Sequence, residues 1–147
     1  MISARWSGWE YLDFQNKFDV VIVGGGYSGL WIACDLRKAY PHYRIAVLER
    51  NVAGAAASSK NAGFACAGSA SEVLADVDRM GFARATELLH KRLQGIERIR
   101  KHFSDANIGY EAVGGWEVFP EAMRAVYDGV QERAAELEEI NRSARGQ

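Results

Sequence analysis

The sequence predicts an α/β protein built on a strand–turn–helix–strand unit, and three observations carry that expectation. "DVVIV", residues 19–23, is a short β-branched run that breaks at three glycines. "RIAVLER", residues 44–50, is a second such run. Between them Gly29, Ala33 and Leu36 fall on one side of a helix that Pro41 ends. Both runs are apolar throughout, as in strands covered on both faces of a parallel sheet. Strand, glycine turn, helix and strand in about 30 residues make a βαβ unit with a right-handed crossover.

Residues 1–17 precede this unit as an N-terminal arm, in which Trp6, Trp9, Tyr11 and Phe14 pack onto the domain. The arm mixes aromatics with charges and has no secretory apolar region. After the second strand comes "GAAASSKNAGFACAGSASE", residues 54–72, a long run almost without large side chains. It is too rich in glycine for a helix and too apolar for an ordinary linker, which implies close approach of something to its backbone. Ser69 and Glu72 have capping-box spacing and open a short helix through Val73, Leu74 and Val77. Gly81 separates it from a longer helix whose stripe is Ala85, Leu89, Leu93, Ile96, Ile99 and Phe103.

"IGYEAVGGWEVF", residues 108–119, reads as two strand pieces interrupted by Gly114-Gly115. Pro120 then opens a last helix with Met123, Val126, Val130, Ala134 and Leu137 on its inner face. The chain so divides into the arm 1–17, a βαβ region with its following helices at 18–105, and strands plus a C-terminal helix at 106–147, together one compact unit. No internal repeat is visible.

At 147 residues the chain is the size of one domain and can bury a real core. With 18 basic and 19 acidic residues, nothing directs it to nucleic acid or an anionic membrane, and no apolar run is long enough for a membrane span. Cys34 and Cys66 are isolated and read as reduced packing residues of a cytoplasmic protein. His42, His90 and His102 are scattered, so no metal set forms. The triplet Asn141-Arg142-Ser143 matches a glycosylation sequon by chance.

"GGGYSG" supplies the chemistry. It contains Gly24-x-Gly26-x-x-Gly29: the first glycine permits the tight turn, the second lets a pyrophosphate approach the backbone, the third lets helix and strand pack closely. The helix start near Tyr27 and Ser28 offers N–H groups and a positive dipole end to phosphates. Glu49 ends the second strand, 20 residues beyond Gly29, where a carboxylate accepts bonds from an adenosine ribose and repels a 2′-phosphate. These features point to a dinucleotide and away from NADP. A NAD-binding half would continue into another helix and a third strand, whereas this chain enters the small-residue loop, which suits the longer FAD.

"VVIVGGGYSGL", "LER" and "ASSKNAGF", in this order, resemble the FAD-dependent oxidoreductases of the D-amino-acid oxidase superfamily, which includes glycine, sarcosine and D-amino-acid oxidases. Lys60 stands where the family usually has Arg, and Ala62 where it has Gly. The resemblance runs from about Asp19 to Phe119 and implies a FAD-type Rossmann core followed by the beginning of a β-rich substrate domain. It implies that Gly24, Gly26, Tyr27, Ser28 and Gly29 face the pyrophosphate, and that Glu49 and Arg50 hold the adenosine end. Ser58, Ser59, Asn61, Ala62 and Gly63 would run past the phosphates toward the flavin. The implied reaction is hydride transfer from the C–H next to nitrogen of an amine or amino-acid substrate, giving an imine.

The family's later substrate segments have no counterpart here, so the resemblance implies an incomplete flavoenzyme, with self-association or a second chain covering Trp116, Val118 and Phe119. No catalytic residue is identified: Arg98, Arg100 and Lys101 beside Glu97 read as a solvated helix face, and Cys66 as packing. A cofactor-free interaction subunit or inactive remnant, and a NAD-binding domain, are the alternative readings.

Overall fold

The computed structural model describes residues 17–51 and 57–146, so most of the expected N-terminal arm lies outside the described residues. The chain divides after Gly63 into two compact units, residues 1–63 and 64–147.

In the first unit, β1 (Val20–Val23) and β2 (Ile45–Leu48) pair in parallel, with Val20 opposite Ile45 and Val23 opposite Leu48. The pair is fastened at its start, where the Arg44 N–H donates to the Asp19 carboxylate at 2.7 Å and the Asp19 N–H donates to the Arg44 carbonyl at 2.9 Å. Helix α1 (Tyr27–Ala39) crosses between the strands and packs on both. It stops at Tyr40, whose N–H reaches the Leu36 carbonyl, one residue before Pro41.

Coverage on both strand faces is not what the fold shows. Ile22 is buried, but Val21 and Leu48 are exposed and Val23 keeps 86% of its surface open. Residues alternate in direction along a strand, so the single crossover helix of this unit can cover one face only.

The second unit is helical. It contains α2 (Ala70–Met80), α3 (Phe82–Phe103), the single turn α4 (Asp105–Ile108), a 3-10 turn at Glu121–Met123, α5 (Arg124–Glu132) and α6 (Ala134–Ala144). Its core joins Val73 and Val77 of α2, Ala85 and Leu89 of α3, and Ile140 and Ala144 of α6. The predicted capping box is present in full: Glu72 N–H donates to Ser69 Oγ, and the Glu72 carboxylate accepts the Ser69 N–H at 3.0 Å. Gly81 separates α2 from α3 with φ of 83°, a left-handed-region value that costs glycine little.

Further expectations are corrected by the helical unit. Residues 110–120 form no strand. A strand needs a partner to satisfy its backbone groups, and none is present among the described residues. Instead the Glu117 side chain ties this segment to the start of α2: it accepts the Ser71 N–H at 3.0 Å and the Ser69 hydroxyl at 3.1 Å, and also bonds the Ser71 hydroxyl.

The single last helix is two, broken at Arg133. The inner face that begins with Val130 passes to Ile140 and Ala144, while Met123 and Val126 are exposed. On α3, Ala85 and Leu89 are buried, but the stripe emerges into solvent at Ile99 and Phe103.

Polar groups lock the helices to one another. Asp76 pairs with Arg79 at 2.6 Å and Arg92 at 3.0 Å. His90 Nδ1 bonds the Ala144 carbonyl at 2.6 Å, tying α3 to α6. Arg100 is not part of a freely solvated face: it bonds both oxygens of Asp105 and one of Glu97, and lies 4.6 Å over the Tyr110 ring.

Candidate dinucleotide site

β1 ends at Val23 and α1 begins at Tyr27, so the chain must reverse within three glycines. Gly24 takes φ of 103°, open to glycine and strained for any other residue. A β-carbon on Gly29 would lie 1.9 Å from the Gly24 carbonyl oxygen, so only a bare α-carbon lets the helix sit this close to the strand. One on Gly26 would meet Ser58 Oγ at 3.0 Å, and one on Gly25 the Glu49 carboxylate at 3.2 Å. The backbone of the turn is therefore approached closely from three sides.

The first turn of α1 carries no acidic residue, and its N-cap Gly26 has no side chain to cap it. Its N–H groups form a positive end suited to an anion. Tyr27 N–H donates to Ser58 Oγ at 3.1 Å. Ser58 belongs to a 3-10 turn, Ala57–Ser59, closed by the Lys60 N–H on the Ala57 carbonyl.

Asn61 fixes this turn against α1. Its Nδ2 donates to the Tyr27 hydroxyl at 2.9 Å and to the Ser58 carbonyl at 2.6 Å, and its Oδ1 accepts the Gly63 N–H at 2.8 Å.

Glu49 stands on the other side of the turn. Its Oε2 accepts the Gly25 N–H at 2.7 Å and its Oε1 the Asn51 N–H at 3.0 Å. The Asn51 and Gly25 N–H groups, with the Arg50 charge beside them, hold its carboxyl below the usual glutamate pKa.

Of the residues singled out in the sequence, hydrogen bonds and close approaches bring together Gly24, Gly26, Tyr27, Gly29, Glu49, Ser58, Asn61 and Gly63. Ser28 lies in the first turn of α1, Arg50 follows Glu49, Ser59 ends the 3-10 turn, and Ala62 is exposed between Asn61 and Gly63. Sequence reasoning passed over Gly25 and Asn51, whose N–H groups orient Glu49. The middle glycine of the run was itself the available signal for Gly25, while nothing marked Asn51.

A crevice of the helical unit among Val73, Leu89, Leu93, Leu137 and Asn141 holds about 240 Å³, below the usual range of small-molecule pockets. Cys66, exposed, accepts the Gly68 N–H at 3.3 Å. The described residues contain no cluster able to hold a metal ion, and no helix among them is long and apolar enough to cross a membrane.

A family model described as FAD dependent oxidoreductase matches residues 19–146, nearly the whole chain. The chain belongs to this family, the FAD-dependent oxidoreductases of the D-amino-acid oxidase type. No curated protein and no solved structure matches it. The family's cofactor is FAD, and the residues at the turn fit a dinucleotide. Gly25, Gly26 and Gly29 leave no free room for a β-carbon, the α1 N-terminus carries no acid of its own, and a carboxylate follows β2 with lone pairs to spare.

Proposed function

We propose that the chain binds FAD through residues 24–63 and forms the FAD-binding part of an enzyme that oxidises an amine or a D-amino acid. Bound there, FAD supplies the acceptor for a hydride from the substrate C–H next to nitrogen, leaving an imine. The chain's own part is positioning. Gly24, Gly26 and Gly29 let the pyrophosphate reach backbone, and the N–H groups at Tyr27 and Ser28 neutralise its charge. Glu49, already oriented by two N–H groups, accepts the adenosine ribose hydroxyls, with Arg50 beside it. Ser58, Ser59, Asn61, Ala62 and Gly63 line the way toward the flavin. Lys60 keeps the charge of the arginine usual in the family without its planar fork. The unpaired thiols Cys34 and Cys66 suit a cytoplasmic setting.

The observation that carries this reading is the closure of Glu49 and Ser58 around a turn where Gly29 admits no β-carbon. The visible spectrum of the purified protein tests it. Flavin bands, or their appearance with fluorescence quenching on adding FAD, are expected. Protein that stays colourless and leaves FAD fluorescence unchanged overturns the reading, and NADH fluorescence that FAD does not compete away favours a NAD site instead.

A further inference from the structure

Ser58 Oγ sits 3.1 Å from the Tyr27 N–H, where an anion at the start of α1 would be held. That hydroxyl does not get there alone. The Asn61 side chain bonds the Ser58 carbonyl, the Gly63 N–H and the Tyr27 hydroxyl, so one amide ties residues 58, 63 and 27 together. Tyr27 is thus engaged twice by the same loop, through its N–H by Ser58 and through its ring hydroxyl by Asn61.

We propose that Asn61 is a positioning residue for the diphosphate: with Tyr27 it clasps residues 57–63 onto α1, and Ser58 Oγ keeps the phosphate seat until a diphosphate oxygen replaces it there. The inference rests on the FAD reading above and adds to it a device made of this chain's own residues. A serine hydroxyl accepts in one state and donates in the other. On binding, Tyr27 N–H turns from Ser58 Oγ to a phosphate oxygen, and the freed hydroxyl donates to the same phosphate. The exchange leaves the clasp intact, so the loop is already ordered when ligand arrives and loses little freedom on binding.

The test is a double-mutant cycle on the full chain, read by FAD fluorescence quenching at equilibrium and by stopped flow. Tyr27→Phe removes only the hydroxyl that Asn61 reaches and leaves the Tyr27 N–H in place. Asn61→Ala removes the clasp from the other side.

Each is expected to weaken FAD by about tenfold, mainly through faster dissociation, and the double variant no more than Asn61→Ala alone. Amide exchange at Tyr27 and Gly63 in the ligand-free protein should rise in both variants. Unchanged FAD affinity in Tyr27→Phe, or losses that simply multiply in the double variant, overturns the clasp while leaving the FAD reading standing. Wild-type protein that binds no FAD overturns both. Should Asn61→Ala fail to fold, Tyr27→Phe still decides, because it deletes a single exposed oxygen.

Discussion

A β-carbon at position 29 has nowhere to go: the Gly24 carbonyl oxygen would be 1.9 Å away, and that oxygen belongs to backbone held at φ of 103°. Gly29→Ala must therefore push α1 off β1, at a cost of about 1–3 kcal/mol by analogy with overpacked cores. Amide exchange across residues 20–48 should rise by one to two orders of magnitude, and FAD quenching should be lost; an alanine variant with wild-type exchange would refute the close approach.

Glu49 makes a pH forecast. Its folded pKa lies below the ordinary value, mainly because the Asn51 and Gly25 N–H groups bond its carboxylate. That stabilisation is complete above the ordinary glutamate pKa and is lost as pH falls through the lower folded value. In Glu49→Gln the β2–turn region should lose less stability on acidification below about pH 5 than wild type does. Exchange-monitored stability against pH measures it, and parallel curves would contradict the bonding.

Among the elements, α2 gives the sharpest forecast. Ser69 caps it, accepting the Glu72 N–H and donating to Glu117. Ser69→Ala should cost about 1 kcal/mol of unfolding free energy, visible as a lower denaturant midpoint at unchanged slope. A midpoint unmoved by that substitution would mean the box contributes nothing.

This cap was legible in the sequence, as were α1, both strands and the break at Gly81. In each, the deciding signal lies within a few residues of the structure it makes. The strands expected at 108–119 were misread for the converse reason. The apolar run around Trp116 has strand propensity, but pairing depends on a distant partner that propensity cannot see. Likewise a continuous apolar pattern could not disclose the break at Arg133 or the burial of Ile140 and Ala144, which α3 imposes from across the core. At the candidate site, spacing singled out the glycines and Glu49, but not the bonds of Glu49 to the Gly25 and Asn51 N–H groups. The bond of Asn61 to Tyr27 spans 34 residues and leaves no periodic trace.

Over the whole molecule, apolar surface is distributed unevenly. The helical unit owns the larger core yet leaves Trp116 95% and Val118 82% exposed, and in the first unit Val23 is 86% exposed. Such surfaces favour association, and sedimentation velocity should show the weight-average mass rising with concentration; a constant monomer mass would count against a covering partner copy. FAD at a hundred times its Kd should stabilise the protein by about 2.7 kcal/mol, with slowed exchange concentrated in residues 24–63 rather than in α2 and α3. Slowing confined to the helical unit would relocate the site.

The start of α2 has a consequence for folding order. Glu72 reaches Ser69 from three residues away, and Glu117 reaches Ser71 and Ser69 from 46 and 48. Contacts of the first kind form with the helix itself, in about a microsecond. The second closes a much longer loop and so costs more chain entropy to form. One helix end is thus held on two scales of chain separation, by a neighbour three residues away and by a residue nearly fifty residues further along.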